Sequence, residues 1–319
     1  MTEADFLSID LPAMLVAVLS ATSCGLLGNF LVLRRQALIG DAISHVVLPG
    51  IVAGFLVAGT IATLPLMLGA MAAALIAAGL IEIIRRAGKL EAGAAMGVVF
   101  TSMFAAGIVL LEQTGASNAH IDAEHALYGN LESTLWLGVA GWADVLTWSA
   151  LRELPRQLVT LAGVTLAIAV MITAFFKELK VTTFDPGLAA SLGLPVRTIS
   201  TILIVVVALA AVAAFEAVGS ILVIAMFICP AATARMLTDN LARQLWFSVL
   251  VAAIAGIGGY LLAAFGPQLW GDPNSLSAAG MIAVVAGILQ TVAMIAAPRY
   301  GILPRKLRNR TQALDLPVR

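Results

Sequence analysis

The sequence predicts an all-α polytopic membrane protein with about eight to nine transmembrane helices. Hydrophobic residues make up 61% of the 319 residues and charged residues only 11%, whereas a soluble domain carries about twice that charged fraction. Apolar runs of about 20 residues, the length that a helix needs to cross a bilayer, recur along the chain. We therefore expect residues 1–319 to form a single transmembrane domain.

The apolar runs give the expected position of each transmembrane helix in chain order. They predict spans at 11–33, 42–60, 63–84, 92–111, 157–176, 198–214, 218–234, 245–265 and 277–297. The two runs on either side of Glu216 can also be counted differently, which is why the prediction is eight to nine helices.

The positions of the basic residues predict the orientation in the membrane. If Arg34 and Arg35 are cytoplasmic, alternation of the spans places every other lysine and arginine on the same side, except Arg152 and Arg156. Because lysine and arginine are enriched in cytoplasmic loops, this orientation is favoured. The N-terminus is then outside, and the basic tail, residues 298–319, is cytoplasmic.

An acidic segment, residues 112–156, lies outside the membrane in this orientation. It contains Trp136, Trp142 and Trp148, and tryptophan favours the membrane–water interface, so part of the segment is expected to lie flat on the bilayer. Four further residues could capture a metal ion, although ordinary solvated loop residues are the simpler interpretation: His120, Asp122, Glu124 and His125.

Residues 177–197 form a cytoplasmic loop that contains the stretch "TFDPGLAASLG". This stretch predicts a short helix with Asp185 as its N-cap, Pro186 at the first helical position and Gly193 as its end. The helix is apolar and lies between basic flanks, which suits contact with a cytoplasmic partner.

The stretch "GDAISHVVLPG" places two ionisable residues in an apolar span. Asp41 and His45 are four residues apart and therefore share one helix face. Counted from Arg35 at about 1.5 Å per residue, His45 lies about 15 Å deep, near the middle of the bilayer. Carboxylate and imidazole suit manganese, iron or zinc, so the pair is predicted to form a transient metal site. The alternative is a buried hydrogen-bonded pair that fixes helix packing.

Two prolines and one acid extend the predicted polar pathway. Pro49 and Pro230 lack an N–H group, so the carbonyl groups of His45 and Met226 lose their helical partners and could line the path. Glu216 falls near the outer end of its span, where it is either solvated or at the mouth of the path. Asp41 and His45 are too few for tight metal binding, but a two-fold homodimer would bring two such pairs together.

Four stretches, in this order, resemble the membrane permeases of manganese, zinc and iron ABC importers: "RRQALIGDAISHVVLPGI", "LYGNL", "TFDPGLAASLG" and "AVGSILVIAMFICPAATARML". The resemblance covers most of the chain. Two departures are the greater length of residues 131–156 and Glu216, where many members have a neutral polar residue. No role can therefore be transferred to Glu216 from the family.

The resemblance implies a type II ABC importer permease in the bacterial inner membrane, working as a homodimer. It also implies cytoplasmic ATPase subunits, an extracytoplasmic metal-binding protein, a divalent metal as substrate and no tightly bound cofactor. The chain lacks a GxxxxGK[ST] phosphate loop, so ATP hydrolysis is expected in the partner subunit and not in this chain. By resemblance, the residues that dock the ATPase are Phe184, Asp185, Pro186, Ala189, Leu192 and Gly193.

Other functions are less consistent with the sequence. A self-sufficient secondary carrier of divalent metal would need a second acid–imidazole pair on another span, and the sequence has none. An intramembrane metalloenzyme is disfavoured because there is no HExxH motif. A net charge of zero gives no indication of nucleic-acid binding.

Overall fold

Long apolar helices form nearly all of the structure, a computed structural model that describes residues 3–60, 63–113, 131–139, 141–145, 147–270, 275–298 and 300–304. Within these ranges there is no strand, and eight helices are long and apolar enough to cross a membrane. The predicted all-α membrane fold is therefore confirmed.

The helices follow the predicted spans closely. In chain order they are α1 (Leu11–Leu33), α2 (Leu38–Ala58), α3 (Thr63–Gly88), α4 (Ala92–Gln113), α5 (Trp148–Arg152), α6 (Arg156–Ala174), α7 (Phe176–Phe184), α8 (Pro186–Ser191), α9 (Val196–Leu237), α10 (Leu241–Phe265) and α11 (Ala278–Ala296). The main difference is α9, which joins the two spans predicted on either side of Glu216.

Helix α9 is not one straight span, because the chain turns back at Gly219. This residue has φ 75° and ψ 170°, a conformation that is essentially restricted to glycine. Ser200, near the start of α9, contacts Arg34 at one end of α1, and Gln244, just after α9, contacts Asn29 near the same end. The chain must therefore enter the bundle along residues 196–218 and return along residues 220–237.

Helix α1 lies at the centre of this bundle and packs closely against the returning segment of α9. A side chain at Gly28 would collide with the backbone of Phe227, and one at Gly25 would contact Pro230. Small residues allow helix backbones to approach in this way, which favours helix association inside a bilayer.

Hydrogen bonds hold α10 antiparallel to α1 at both ends. At one end, the buried Asn29 amide donates to Ser248 Oγ over 2.7 Å and accepts from Gln244 Nε2 over 2.9 Å. At the other end, the Tyr260 hydroxyl donates to Asp10 Oδ1 over 2.8 Å. Asn29 has its partners inside the protein, as polar groups in a bilayer require.

The alternation of these helices separates two faces of the molecule. The face that carries Arg34, Arg85, Lys89, Arg197 and Arg235 is called the basic face below. Arg152 and Arg156 lie on the opposite face, with Asp10 and Tyr260. On the basic face, Asp239 accepts hydrogen bonds from Arg235 and from Tyr300, which fastens the chain after α11 to the α9–α10 turn.

Residues 131–152 pack on the opposite face against the start of the chain. Trp136 is buried with Leu7, and its indole N–H donates to the carbonyl oxygen of Ala150 over 2.9 Å. Trp136 therefore packs within the protein, and the prediction that part of this segment lies flat on the bilayer does not extend to its side chain. Trp142 and Trp148 are exposed and remain suited to the bilayer surface. The predicted loop residues His120, Asp122, Glu124 and His125 lie outside the described ranges.

The reversal at Gly219 can be tested with Gly219→Ala. The Cβ atom forces the chain out of a conformation available only to glycine, so we expect a loss of about 1–3 kcal/mol of stability. Thermal unfolding in detergent measures this loss. Gly163→Ala, on the open surface of α6, is the control and should leave the melting temperature unchanged or slightly higher. Equal melting temperatures for the two variants would contradict the reversal.

Candidate metal pathway and docking helix

The predicted metal ligand His45 lies on the face of α2 that packs against α4. Its ring stacks on Phe100 with centroids 5.3 Å apart and meets Phe104 edge-on at 5.7 Å. One turn further along α2, Pro49 packs so closely on Gly107 that a side chain there would collide with it. The imidazole is half-buried and is oriented by aromatic contacts from α4.

The helix contacts also define the depth of His45. Gly40 of α2 and Gly28 of α1 both pack against Phe227, so they lie at the same level. Gly28 is about 8 Å from the basic-face end of α1, and His45 is about 8 Å beyond Gly40. His45 therefore lies near the middle of α1, which is about 35 Å long, in agreement with the depth expected from the sequence.

Asp41 occupies the first turn of α2, directly after Gly40 and close to the returning segment of α9. Its side chain lies outside the described part of the structure, so the pairing of Asp41 with His45 stays a prediction based on their spacing along α2. Among the described side chains, no group of three or more His, Cys, Asp or Glu residues could hold a metal ion.

The two prolines differ in their surroundings. Both α2 and α9 continue through them, at Pro49 and Pro230. Pro230 and the carbonyl oxygen of Met226 lie against Gly25 of α1. The Met226 carbonyl therefore lies close to α1, and its place along a polar path stays a prediction. Pro49 has no N–H group to donate to the His45 carbonyl.

Glu216 lies far from the basic face, three residues before the turn at Gly219. Sixteen residues of helix separate it from Ser200, a rise of about 24 Å. Its side chain is exposed. Glu216 is thus located towards the end of the bundle opposite the basic face, which is the outer end in the predicted orientation. It is about 9 Å further along the bundle than His45.

The predicted short helix is present as α8. Asp185 Oδ1 accepts a hydrogen bond from the Leu188 amide over 2.9 Å, and Pro186 occupies the first turn. Gly193 ends the helix with φ 78°, and the Leu194 amide donates to the Ala189 carbonyl. The capping residues predicted from "TFDPGLAASLG" are confirmed: Asp185 accepts the capping bond, Pro186 begins the helix and Gly193 adopts the left-handed conformation that ends it.

All of the predicted docking residues except Ala189 are exposed. Phe184, Leu188 and Leu192 expose half or more of their surface, at 53%, 50% and 64%, whereas Ala189 is completely buried. Ala189 therefore packs within the protein and cannot contact a partner directly. Leu188 was missed by the sequence analysis, although its spacing of four residues from Leu192 along the predicted helix indicates a shared face.

The sequence analysis used Arg34 only to predict the orientation and missed its contacts with other helices. Three of its nitrogen atoms donate to three hydroxyl groups: Nε to Thr183 at 3.1 Å, Nη1 to Ser200 at 3.1 Å and Nη2 to Thr182 at 3.2 Å. Burial lowers the pKa of the Arg34 guanidinium. Arginine nevertheless stays charged at neutral pH, so these hydroxyl groups compensate for its lost hydration.

Together, a bundle of membrane-spanning helices, a half-buried histidine at mid-depth and an apolar helix exposed on the basic face define a membrane transport protein. The chain belongs to the ABC 3 transport family, which it matches over residues 7–135 and 149–297. This family agrees with the resemblance seen in the sequence motifs.

Individual relatives match over nearly the whole chain. A manganese transport system membrane protein, MntD of Bacillus subtilis, is 38% identical over 92% of this chain and 93% of its own length. A zinc transport system membrane protein, TroD of Treponema pallidum, is 37% identical over 97% of this chain and 80% of its own. In the solved structure of PsaBC from Streptococcus pneumoniae in complex with Fab, one chain is similar with a TM-score of 0.72. The sequence identity is 29%, and the match covers 94% of each of the two chains.

Proposed function

We propose that this protein is the membrane-spanning permease of an ATP-driven importer for a divalent transition metal. The observation that carries the proposal is the placement of Asp41 and His45 on one helix, with His45 near mid-depth, in a chain of the ABC 3 transport family. The names of its relatives favour manganese or zinc as substrate, and the ligand chemistry also permits iron.

The ligand set suits transient binding. A carboxylate and a neutral imidazole are ligands for manganese, zinc and iron, but two ligands hold such an ion weakly. Weak binding is appropriate in a pathway, since the ion must also leave. The rings of Phe100 and Phe104 orient the imidazole of His45. The metal is cargo, and no resident cofactor is part of the proposal.

The basic face is proposed to be the cytoplasmic face, because lysine and arginine favour that side. The N-terminus is then outside and the C-terminus inside a bacterial inner membrane. Helix α8 and the residues that flank it present Phe184, Leu188 and Leu192 to the cytoplasm, where an ATPase subunit would bind. A metal-binding protein would deliver the ion to the opposite face.

We propose a homodimer as the working unit. Two copies related by a two-fold axis would supply two ATPase docking helices and two Asp41–His45 pairs, enough ligands for a shared metal site. Because α4 covers part of the His45 face, a shared site requires that the ion reach the imidazole from its exposed edge.

A self-sufficient carrier would have no use for a capped apolar helix exposed on the basic face. The family match also favours a permease that works with a separate ATPase. For the same reason, the chain itself is proposed not to be an enzyme.

The metal site can be tested by Asp41→Ala and His45→Ala. Each variant removes one of two ligands, so we expect uptake of Mn²⁺ and Zn²⁺ to fall to background while the protein remains folded in the membrane. Uptake into proteoliposomes that contain the permease with its ATPase measures the effect. Leu56→Ala, an exposed position on the same helix, should retain uptake. Normal uptake in both ligand variants would leave the pair as a packing feature.

The docking surface can be tested by Leu188→Glu and Leu192→Glu. A charge on the exposed apolar face should release the ATPase subunit from the purified complex or uncouple its hydrolysis from uptake. Co-purification and ATP hydrolysis are the two measurements. Ala190→Glu is the control: it adds the same charge on the other side of α8, which is not part of the proposed docking surface. An intact, fully coupled complex in both leucine variants would argue against this surface.

The homodimer can be tested by cross-linking in a protein without Cys24 and Cys229. Single cysteines at positions 41 and 45 should be joined between two copies by a bridging metal or a short reagent, if the pairs face each other. A cysteine at Val47, which is buried in its own protomer at 1% exposure, should not be joined. If two differently tagged copies co-purify without this cross-link, the dimer stands and the shared four-ligand site is excluded.

A further inference from the structure

Arg34 joins three elements on the basic face. The residue follows the last turn of α1, its Nε and Nη2 atoms donate to Thr183 and Thr182 of α7, and its Nη1 atom donates to Ser200 of α9. Through this one side chain, the end of α1 is bonded to both α7 and α9.

The backbone around Arg34 holds this side chain in place. The Gln36 amide donates to the Leu31 carbonyl over 2.8 Å, and the Arg35 amide donates to the Val32 carbonyl over 3.1 Å. This pair of bonds is the Schellman motif that ends many helices. Arg35 has φ 57°, an uncommon conformation for a residue other than glycine. The end of α1 is thus defined by its own backbone, and Arg34 projects from a fixed position.

The acceptors on α7 are equally well defined. Thr182 and Thr183 are buried, at 3% and 8% exposure, in the last turn of α7. The Thr182 hydroxyl donates to the Glu178 carbonyl over 2.8 Å and accepts from Arg34. Its proton is thus used in the bond to Glu178, and its oxygen is the acceptor for Arg34. Only Asp185 separates α7 from α8, so a displacement of α8 acts directly on these two threonines.

The hydrogen bonds of Arg34 to Thr182, Thr183 and Ser200 are called the Arg34 joint below. Open space lies beside this joint. A cavity of about 930 Å³ is bordered by Arg34, Thr183, Pro186 and Ser200 on one side and by Gly79 and Glu82 of α3 on the other. The first segment of α9 is therefore not packed tightly against α3 near the basic face. It has room to shift towards α3.

We propose that Arg34 is the positioning residue that transmits movement of the docking helix α8 to α1 and to the first segment of α9. This inference rests on the proposed function, because it assumes that an ATPase moves α8. The planar guanidinium fork holds three hydroxyl groups in one geometry, which the single ammonium group of lysine cannot reproduce. Movement of α7 then pulls on Ser200 through one rigid side chain.

The experiment compares variants that remove parts of the joint with variants that keep the hydroxyl group. Arg34→Lys, Thr183→Val and Ser200→Ala remove parts of the joint, whereas Thr183→Ser and Ser200→Thr keep each acceptor. Mn²⁺ uptake and ATP hydrolysis are measured in the same proteoliposomes. We expect these three substitutions to lower the number of Mn²⁺ ions transported per ATP hydrolysed by about tenfold. Loss of a hydrogen bond to a charged group changes an equilibrium by that order. The hydroxyl-retaining variants should stay near the starting protein.

A second measurement does not depend on the transported metal. In a protein without Cys24 and Cys229, a cysteine at Thr201, which borders the cavity, should change its labelling rate when ATP binds to the complex. Arg34→Lys should abolish this change while the ATPase subunit remains bound.

The two measurements separate this inference from the proposed function. If the starting protein transports no metal but the labelling response requires Arg34, the proposed substrate is wrong and the joint stands. If Arg34→Lys and Thr183→Val bind the ATPase and keep both the transport ratio and the labelling response, the joint is overturned, even if their melting temperatures fall. If Arg34→Lys does not fold, the threonine and serine variants give the same decision.

Discussion

The close approach of α1 and the returning segment of α9 is the constraint on which the rest of the structure depends. At Gly28, the two backbones are so near that not even a methyl group fits between them. In a bilayer, where apolar side chains gain little by leaving lipid, such contact is a principal source of helix association. Because Phe227 also packs on Gly40, the same contact positions the start of α2, and with it Asp41 and His45.

The reversal at Gly219 makes this arrangement possible. A continuous helix of 42 residues would be about 63 Å long, roughly twice the thickness of the hydrocarbon core. By turning back at one glycine, α9 presents both of its segments to α1 and returns the chain to the basic face. Glu216 is thereby held near the turn, at the end of the bundle opposite the basic face, while Ser200 lies beside Arg34.

The candidate pathway and the docking helix are linked through this same pair of helices. His45 lies on α2, which is positioned by α9, and α8 is joined through α7 and Arg34 to α1 and α9. The polar side chains of Asn29 and Arg34 make their contacts within the protein. Polar groups in an apolar environment are costly unless paired, so each such contact defines the position of the helices that share it.

The sequence by itself determined the membrane-spanning class, nearly all helix limits, the caps of α8 and the depth of His45. These features follow from local rules: the length of apolar runs, the rise per helical residue and the backbone needs of helix ends. Only the tertiary structure decided that Pro230 packs against Gly25 of α1, that Trp136 and Ala189 are buried, and that Arg34 joins α1, α7 and α9. Those outcomes depend on which helix faces meet, and in this chain nearly every face is apolar. The pattern that usually distinguishes an inward from an outward face is therefore too weak in the sequence to predict them.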